Sequence, residues 1–396
     1  MTEYLIQDSS LSAIADAIRL KTGGVDKLTP SEMAGAINGI ETDDSTTKLI
    51  DRTIDKYSDD NITTVRAYAF GGCNSLINVN LPVCTSIGKY AFYFCSSLTS
   101  VSFPACTSIG YQAFISCPSL TSVSFPVCET IDGWAFNYCR SLTSVSFPAC
   151  TSIGDNAFYY CSLTSVNFPV CTSIGDGAFE RCSSLTNVSF PACTSIGNSA
   201  FYSCVSLTSV SFPVCTSIGD RAFYYCSSLT SVNFPACTSI GDSAFYYCSS
   251  LTSVNFPACT SISYQAFISC TSLSSVNFPV CTDIGISAFA NCTSLTNVSF
   301  PACIDIGPSA FYSCTSLSSV NFPVCTNIGN SAFRGCTSLS TITLGASTCC
   351  TLQSSRAFYS TGITKTTGSI YVPSSLVASY KTRRGWSYFS NIIYGM

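Results

Sequence analysis

Twenty-seven cysteines and not one histidine bound the chemistry open to this 396-residue chain. A thiol can be a nucleophile, a redox centre, a metal ligand or a small buried hydrophobe. Nucleophilic work needs a base, and the absence of histidine removes the Ser–His and Cys–His dyads and most catalytic zinc sites. No Cys-x-x-Cys occurs, and the acids within the repeated part of the chain are sparse and scattered. These residues predict no enzyme and call for no cofactor. With 10% charged residues, a net charge of -4 and no basic run, they also lack the cationic footprint of nucleic-acid binding. No apolar run is long enough to span a bilayer, and "MTEYLIQDSS" lacks the pattern of a secretory leader, so no membrane insertion is expected. What remains abundant is aromatic, including 21 tyrosines, and that favours binding.

The elements that must position these residues come from a repeat. The leucine of "SLTSV" recurs at Leu76, Leu98, Leu120, Leu142, Leu163, Leu185, Leu207, Leu229, Leu251, Leu273, Leu295, Leu317 and Leu339. The spacing is 22, except between Leu142 and Leu163, where one serine is missing. A fixed period of this length marks a solenoid whose coils bury their apolar sides against each other. Within one coil, Leu229, Val232, Phe234, Cys237, Ile240, Ala244, Phe245 and Cys248 form the expected inward set. Ser231 and Asn233 alternate outward, as on a half-buried strand. Pro235 ends that strand, "SAFYYC" turns the coil, and Gly241 is expected in a backbone conformation other residues avoid.

Twelve cysteines follow the proline (Cys84 to Cys325), thirteen follow "AF" (Cys73 to Cys336), and Cys349 and Cys350 complete the set. Stacking makes each set a ladder at strand spacing, about 4.8 Å. Parallel Cβ vectors suit disulfides poorly, and sulfurs in line do not make a metal tetrahedron. Buried free thiols are therefore expected.

The phrase "LTSVxFPxCTSIGxxAFxxCxS" resembles the BspA-like leucine-rich repeat family over residues about 62–346. The tail "GSIYVPSSLVASYKTRRGWSYFSNIIYGM" is similar to closing segments of such arrays. The resemblance implies a solenoid used for binding, commonly in bacterial-surface adhesion, with no catalytic residues to carry over. The fold class expected is thus a leucine-rich-repeat solenoid, a strand plus turns per coil, with a small N-terminal helical hairpin and a C-terminal cap. Its parts are an attachment or oligomerisation segment (1–45), a linker and lead-in (46–61), the array (62–346) and the cap (347–396). The cap carries Arg356, Lys365, Lys381, Arg383 and Arg384 and no acid.

The head differs in kind. Leu11, Ile14, Ala15 and Ile18 follow helical spacing after Ser9–Ser10, and Thr29-Pro30-Ser31-Glu32 reads as a capping box opening a second helix through Met33, Ile37 and Ile40. "SSLSAIADAIRLKTGGVDKLTPSEMAGAINGI" also resembles a segment of phage and prophage tail proteins. That resemblance implies a virion protein with 1–45 bound to a tail-protein partner or a second copy.

The positions that vary most between coils are the two after Ile-Gly and the two after Ala-Phe. They hold the candidate ligand-binding residues Tyr93, Tyr111, Trp134, Tyr138, Tyr159, Tyr160, Arg181, Tyr202, Arg221, Tyr224, Tyr225, Tyr246, Tyr247, Tyr264 and Tyr312. Such variation marks either a recognition surface or harmless drift, and stacked tyrosines can also simply shield the coil edge. The rival surface is the strand face, with Ser100, Ser102, Asn233, Asn255 and Asn277, suited to hydrogen-bonding sugars or to being a solvated sheet. Asp155/Asp176 and Asp220/Asp242 could each offer oxygens to calcium, though two carboxylates are few for that ion. The function expected is non-catalytic recognition of a bacterial cell-surface glycan or protein, foremost as a phage tail-associated host-binding protein. The alternatives are a BspA-like bacterial surface adhesin and a structural spacer or filament subunit. Location follows as virion or cell surface.

Overall fold

The computed structural model describes residues 52–396, so the helices expected within residues 9–40 lie outside the described residues. The chain divides into two compact units, one of residues up to 150 with 157–162, the other of residues 151–156 with 163–396. Both are leucine-rich-repeat β-solenoids in which one sequence repeat makes one coil.

Each coil contributes two short parallel strands. In the first unit, Lys56–Ser58, Asn78–Asn80 and Ser100–Ser102 pair side by side, and Ser122–Ser124 pairs with Ser144–Ser146. The lead-in thus supplies a strand of its own. A second ladder joins Thr64–Val65, Ser86–Ile87, Ser108–Ile109 and Thr130–Ile131. In the second unit the longer strands form a six-stranded sheet from Ser165–Asn167 to Ser275–Asn277 and a five-stranded one from Asn297–Ser299 to Ile393–Gly395. The two-residue ladder there runs from Ser152–Ile153 to Thr351–Leu352. Residues pair with their equivalents one repeat on, as Ser253 does with Ser275, Val254 with Val276 and Asn255 with Asn277.

Threonine reinforces these ladders. Thr238 donates both its N–H (2.9 Å) and its Oγ1–H (3.1 Å) to the Thr216 carbonyl, and Thr252 does the same to Thr230 at 3.1 and 3.2 Å. The hydroxyls are spent on neighbouring coils, which holds short strands together without charge.

The inward set is where alternation put it. Leu229, Phe234, Cys237, Ala244, Phe245 and Cys248 are fully buried, with Val232 and Ile240 nearly so. Two phenylalanine columns form the core. Phe245 lies parallel to Phe223 and Phe267, centroids 5.2 Å away on either side, and meets Phe234 and Phe256 edge-on at 6.3 and 6.0 Å. Both arrangements are favoured by the ring quadrupole.

Gly241 departs from expectation. Its φ is ordinary; what excludes a side chain is space, because a Cβ would sit 2.6 Å from the backbone nitrogen of Asp220 in the preceding coil. Ser263 and Asp132 stand at the equivalent position in two other coils, with the neighbouring inter-coil bonds at 3.3 Å (Thr260 N–H to Thr238) and 2.8 Å (Glu129 N–H to Thr107). Gly241→Ala is expected to lower stability by about 1–3 kcal/mol because its Cβ must push against the Asp220 backbone. Urea unfolding measures this, and an unchanged midpoint would show that coil spacing does not depend on that contact.

Within the coils the left-handed residues are the second ones after Ile-Gly (or its equivalent) and after Ala-Phe, and most are not glycine. Ser243 has φ 55° and Tyr247 φ 61°. Each closes a turn of type II pattern, Ala244 N–H to Gly241 and Cys248 N–H to Phe245. The left-handed geometry turns the residue's own N–H toward the next coil: Ser243 donates to the Tyr264 carbonyl at 2.8 Å and Tyr247 to Ile268 at 3.0 Å. An inter-coil hydrogen bond thus offsets backbone strain of about 1–2 kcal/mol.

At the C-terminal end, Ser369–Val372 and Ile393–Gly395 extend the sheet, and a short helix, α1 (Val377–Thr382), lies between them in the chain. Trp386 donates Nε1–H to the Cys350 carbonyl at 2.7 Å, and Tyr380 Oη accepts the Cys350 N–H at 2.9 Å. Trp386 and Phe389 are buried over Phe358, the end of its column, while Tyr388 stays exposed beneath the Lys365 ammonium.

Candidate functional site

The thiols do not form the site. All 27 cysteines are free, and all but Cys349 are buried. The set after proline donates to the carbonyl two residues on, as Cys237 does to Ser239 at 3.1 Å. The set after Ala-Phe reaches the phenylalanine carbonyl of the preceding coil, as Cys248 does to Phe223 at 3.2 Å. Burial pushes Cys237 up to about 12 and Cys259 up to about 11, with Cys248 also raised well above the usual thiol value. These are protonated packing groups.

The carboxylates proposed for calcium have another use. Asp155 Oδ1 accepts the Asp176 N–H at 2.8 Å, Asp176 Oδ1 that of Asn198 at 2.6 Å, and Asn198 Oδ1 that of Asp220 at 2.8 Å. Asp220 continues to Asp242 at 2.8 Å, and Asp242 to Tyr264 at 3.1 Å. One oxygen of each caps the next coil, and no group of three or more potential ligands is gathered among the described residues.

The aromatic residues come together because the two turns place them side by side at the stacking interval. In the second unit Tyr202, Tyr224 and Tyr246 stack face to face, 5.0 and 4.4 Å apart. Tyr225 and Tyr247, on left-handed positions, run beside them at 5.0 Å from each other, with Tyr225 edge-on to Tyr224 at 4.9 Å. Tyr225 and Tyr247 are exposed, and the stacked three half-buried. Partial burial, followed by the neighbouring phenols, raises the pKa of Tyr224.

In the first unit Tyr138 lies flat against Tyr160 at 5.4 Å and edge-on to Tyr159 at 5.5 Å, with Trp134 6.3 Å from Tyr159. Tyr93 meets Tyr90 and Phe94 edge-on, and Tyr111 meets Tyr90. The side chains of the remaining candidates are placed differently, although the Arg181 N–H donates to the Tyr202 carbonyl at 2.7 Å and the Arg221 carbonyl accepts from Tyr224 at 3.1 Å. Arg181 pairs with Glu180 at 3.7 Å, Arg221 is exposed in a left-handed turn, and Tyr264 is exposed over the end of the Asp/Asn series. Tyr312 faces the Arg334 guanidinium, which also covers Tyr359.

Sequence reasoning missed Arg334 and Arg140, the latter lying over both Tyr138 and Tyr160 at 5.3 and 5.7 Å. It also missed Tyr68, stacked on Tyr90 at 4.8 Å. Arg140 was legible as the one charged residue directly after the second cysteine, where the other coils have Ser, Thr, Asn, Pro or Val.

On the strand face, Asn233 Nδ2 donates to Ser211 Oγ at 3.2 Å and Asn277 Nδ2 to Asn255 Oδ1 at 2.7 Å. Part of that face's hydrogen-bonding capacity is therefore satisfied between coils.

Among solved structures, the chain is similar to a leucine-rich repeat protein from Bacteroides ovatus ATCC 8483, at 25% identity over 75% of this chain and 91% of that one, TM-score 0.44. It is similar to a leucine rich cell surface protein from Faecalibacterium prausnitzii A2-165, at 23% identity over 74% and 89%, TM-score 0.38. The pneumococcal vaccine antigen PcpA matches at 14% identity over 87% and 90%, TM-score 0.43. Comparison with curated proteins gave no match. The BspA type leucine rich repeat region matches residues 56–150, 151–273 and 260–377. With the repeat matched over most of its length, the chain belongs to the BspA-type leucine-rich repeat family.

Proposed function

We propose that this chain is a bacterial surface adhesin, a non-catalytic arm that recognises a glycan or protein ligand on a cell surface through its tyrosine edge. The observation that carries this is the cluster of Tyr202, Tyr224, Tyr225, Tyr246 and Tyr247, five rings in three successive coils. Tyrosine offers a large amphipathic contact with few rotors to freeze. The fold does not need it there: Ser203 and Ser269 occupy the position of Tyr225 and Tyr247 in the flanking coils, with the same left-handed backbone. Family membership supports a binding role, since leucine-rich repeats supply surfaces rather than catalytic groups. The virion expectation has its support in residues 9–40, outside the described residues, and none of the matches above is a phage protein. The surface-adhesin reading therefore takes first place.

The test uses the full chain, labelled, on a panel of gut bacteria and their isolated cell-wall glycans. Changing Tyr224, Tyr225, Tyr246 and Tyr247 to serine is expected to weaken saturable binding by about tenfold to a hundredfold, the loss when one or two of the four carry over about 1 kcal/mol each, as a minority of interface residues do. Unchanged binding would move the site to the Ser/Asn strand face. No binding by the parent chain to any cell or glycan would sink the proposal.

A further inference from the structure

Among the described residues, one buried side chain, Asn137, has neither polar atom hydrogen-bonded. It is fully buried, and its backbone is already employed, the N–H donating to Trp134 and the carbonyl accepting from Ser116. An amide left unpaired in this way is destabilising, and such a group in a folded protein calls for a reason. Ile115 fills the same position one coil earlier without that cost.

A second cost falls three residues away. Trp134 is held at φ 61°, where L residues are strained. Its indole lies 6.3 Å from Tyr159, the residue at the Asn137 position of the next coil. Beside them, Tyr138 and Tyr160 stack, with the exposed Arg140 guanidinium lying over both rings. Two aromatic faces, a paired donor and acceptor, and a cation fixed on a tyrosine platform converge within two coils.

We propose that Trp134, Asn137, Tyr138, Arg140, Tyr159 and Tyr160 form a subsite for one pyranose unit of a glycan. The side chains around Asn137 part to admit the sugar, and the Trp134 indole takes its C–H face. The Asn137 amide, with Nδ2 donating and Oδ1 accepting, then pairs with two vicinal hydroxyls. Arg140 donates to an oxygen substituent at the rim. The subsite deepens the recognition reading by naming a ligand class, and rests on that reading only for the source of the glycan.

Trp134 and Trp386 are the two tryptophans of the chain, and Trp386 is fully buried in the C-terminal end. Fluorescence of the full chain therefore reports on Trp134 when glucose, galactose, mannose and N-acetylglucosamine are titrated in turn. A saturable change with at least one sugar is expected. Asn137→Leu should weaken that sugar's binding about tenfold or more, as loss of a hydrogen-bonding pair does, with the thermal midpoint checking that the coil still folds. No saturable change with any of the four sugars, or binding that Asn137→Leu leaves intact, overturns the subsite. Because the probes are soluble sugars and the Tyr224–Tyr247 cluster is untouched, failure here leaves the cell-binding result standing, and failure of cell binding leaves this titration standing.

Discussion

Raising the pH from about 8 to about 11 is expected to unfold the array, kept reduced throughout. Each coil buries two thiols, and burial raises one of them across seven coils: Cys128, Cys193, Cys237 and Cys281 to about 12, Cys171, Cys215 and Cys259 to about 11, from an ordinary value of 9.0. Below 9 the thiols are protonated in both states, so their contribution to stability is complete. Above 9 the unfolded chain releases protons that the folded chain retains, and stability falls until the folded thiols ionise at about 11 to 12. One such group in a coil removes about 1.4 kcal/mol for each pH unit in that window. Urea midpoints taken across the range check this, with a Cys237→Ala/Cys248→Ala chain expected to show a shallower fall. A flat profile would mean that the sulfurs meet solvent or lose their protons without unfolding.

Phe245→Ala is expected to destabilise the second unit by about 3–5 kcal/mol, because removing a buried ring forfeits its transfer free energy and leaves a cavity that neighbours fill only in part. Here the neighbours cannot collapse easily. Phe223 and Phe267 are held 5.2 Å away on each side by coil spacing that the backbone hydrogen bonds fix, and Phe234 and Phe256 belong to the other column. Because each coil touches only those adjacent to it, the loss should be local. Hydrogen exchange is expected to rise first in the amides of Phe223, Phe245 and Phe267 and fall away within a coil or two. A uniform rise along the whole unit would instead show that the coils open together, and a loss below about 1 kcal/mol would show that the column is not under packing constraint.

Most of the coil was legible in the sequence because a side chain that recurs in register at every repeat has one environment to explain it. Leu229, Phe234, Phe245 and the two cysteines could be placed inward from alternation and apolarity alone. Gly241 misled because a glycine can answer two needs, a left-handed φ or close approach, and only geometry tells them apart. The left-handed positions themselves hold mostly Tyr, Ser, Arg, Gln and Trp, residues whose preferences give no hint of positive φ, with Gly or Asn only at Gly72, Asn156, Gly177, Asn291 and Gly335. They adopt it for a hydrogen bond to the next coil that no single repeat contains. The second strand, Ser239–Ile240, was hidden for a similar reason: it is too short to show alternation. At the aromatic edge, the residue types were visible but the partnerships were not. Arg140 over Tyr160 joins side chains from successive coils, and Asn137 gained meaning only once its amide was found buried and unpaired.

The joints between coils are nearly interchangeable. Thr216 meets Thr238 as Thr230 meets Thr252, and excision of one whole repeat would rejoin surfaces that already fit. Length is then a variable that inheritance can change by whole steps, through unequal recombination between near-identical stretches of the gene, without inventing a new interface. The coil between Leu142 and Leu163, one serine short, records that even an imperfect step has been absorbed. A lineage carrying such an array can add, drop or shuffle tyrosine-bearing coils while the folding problem stays the same.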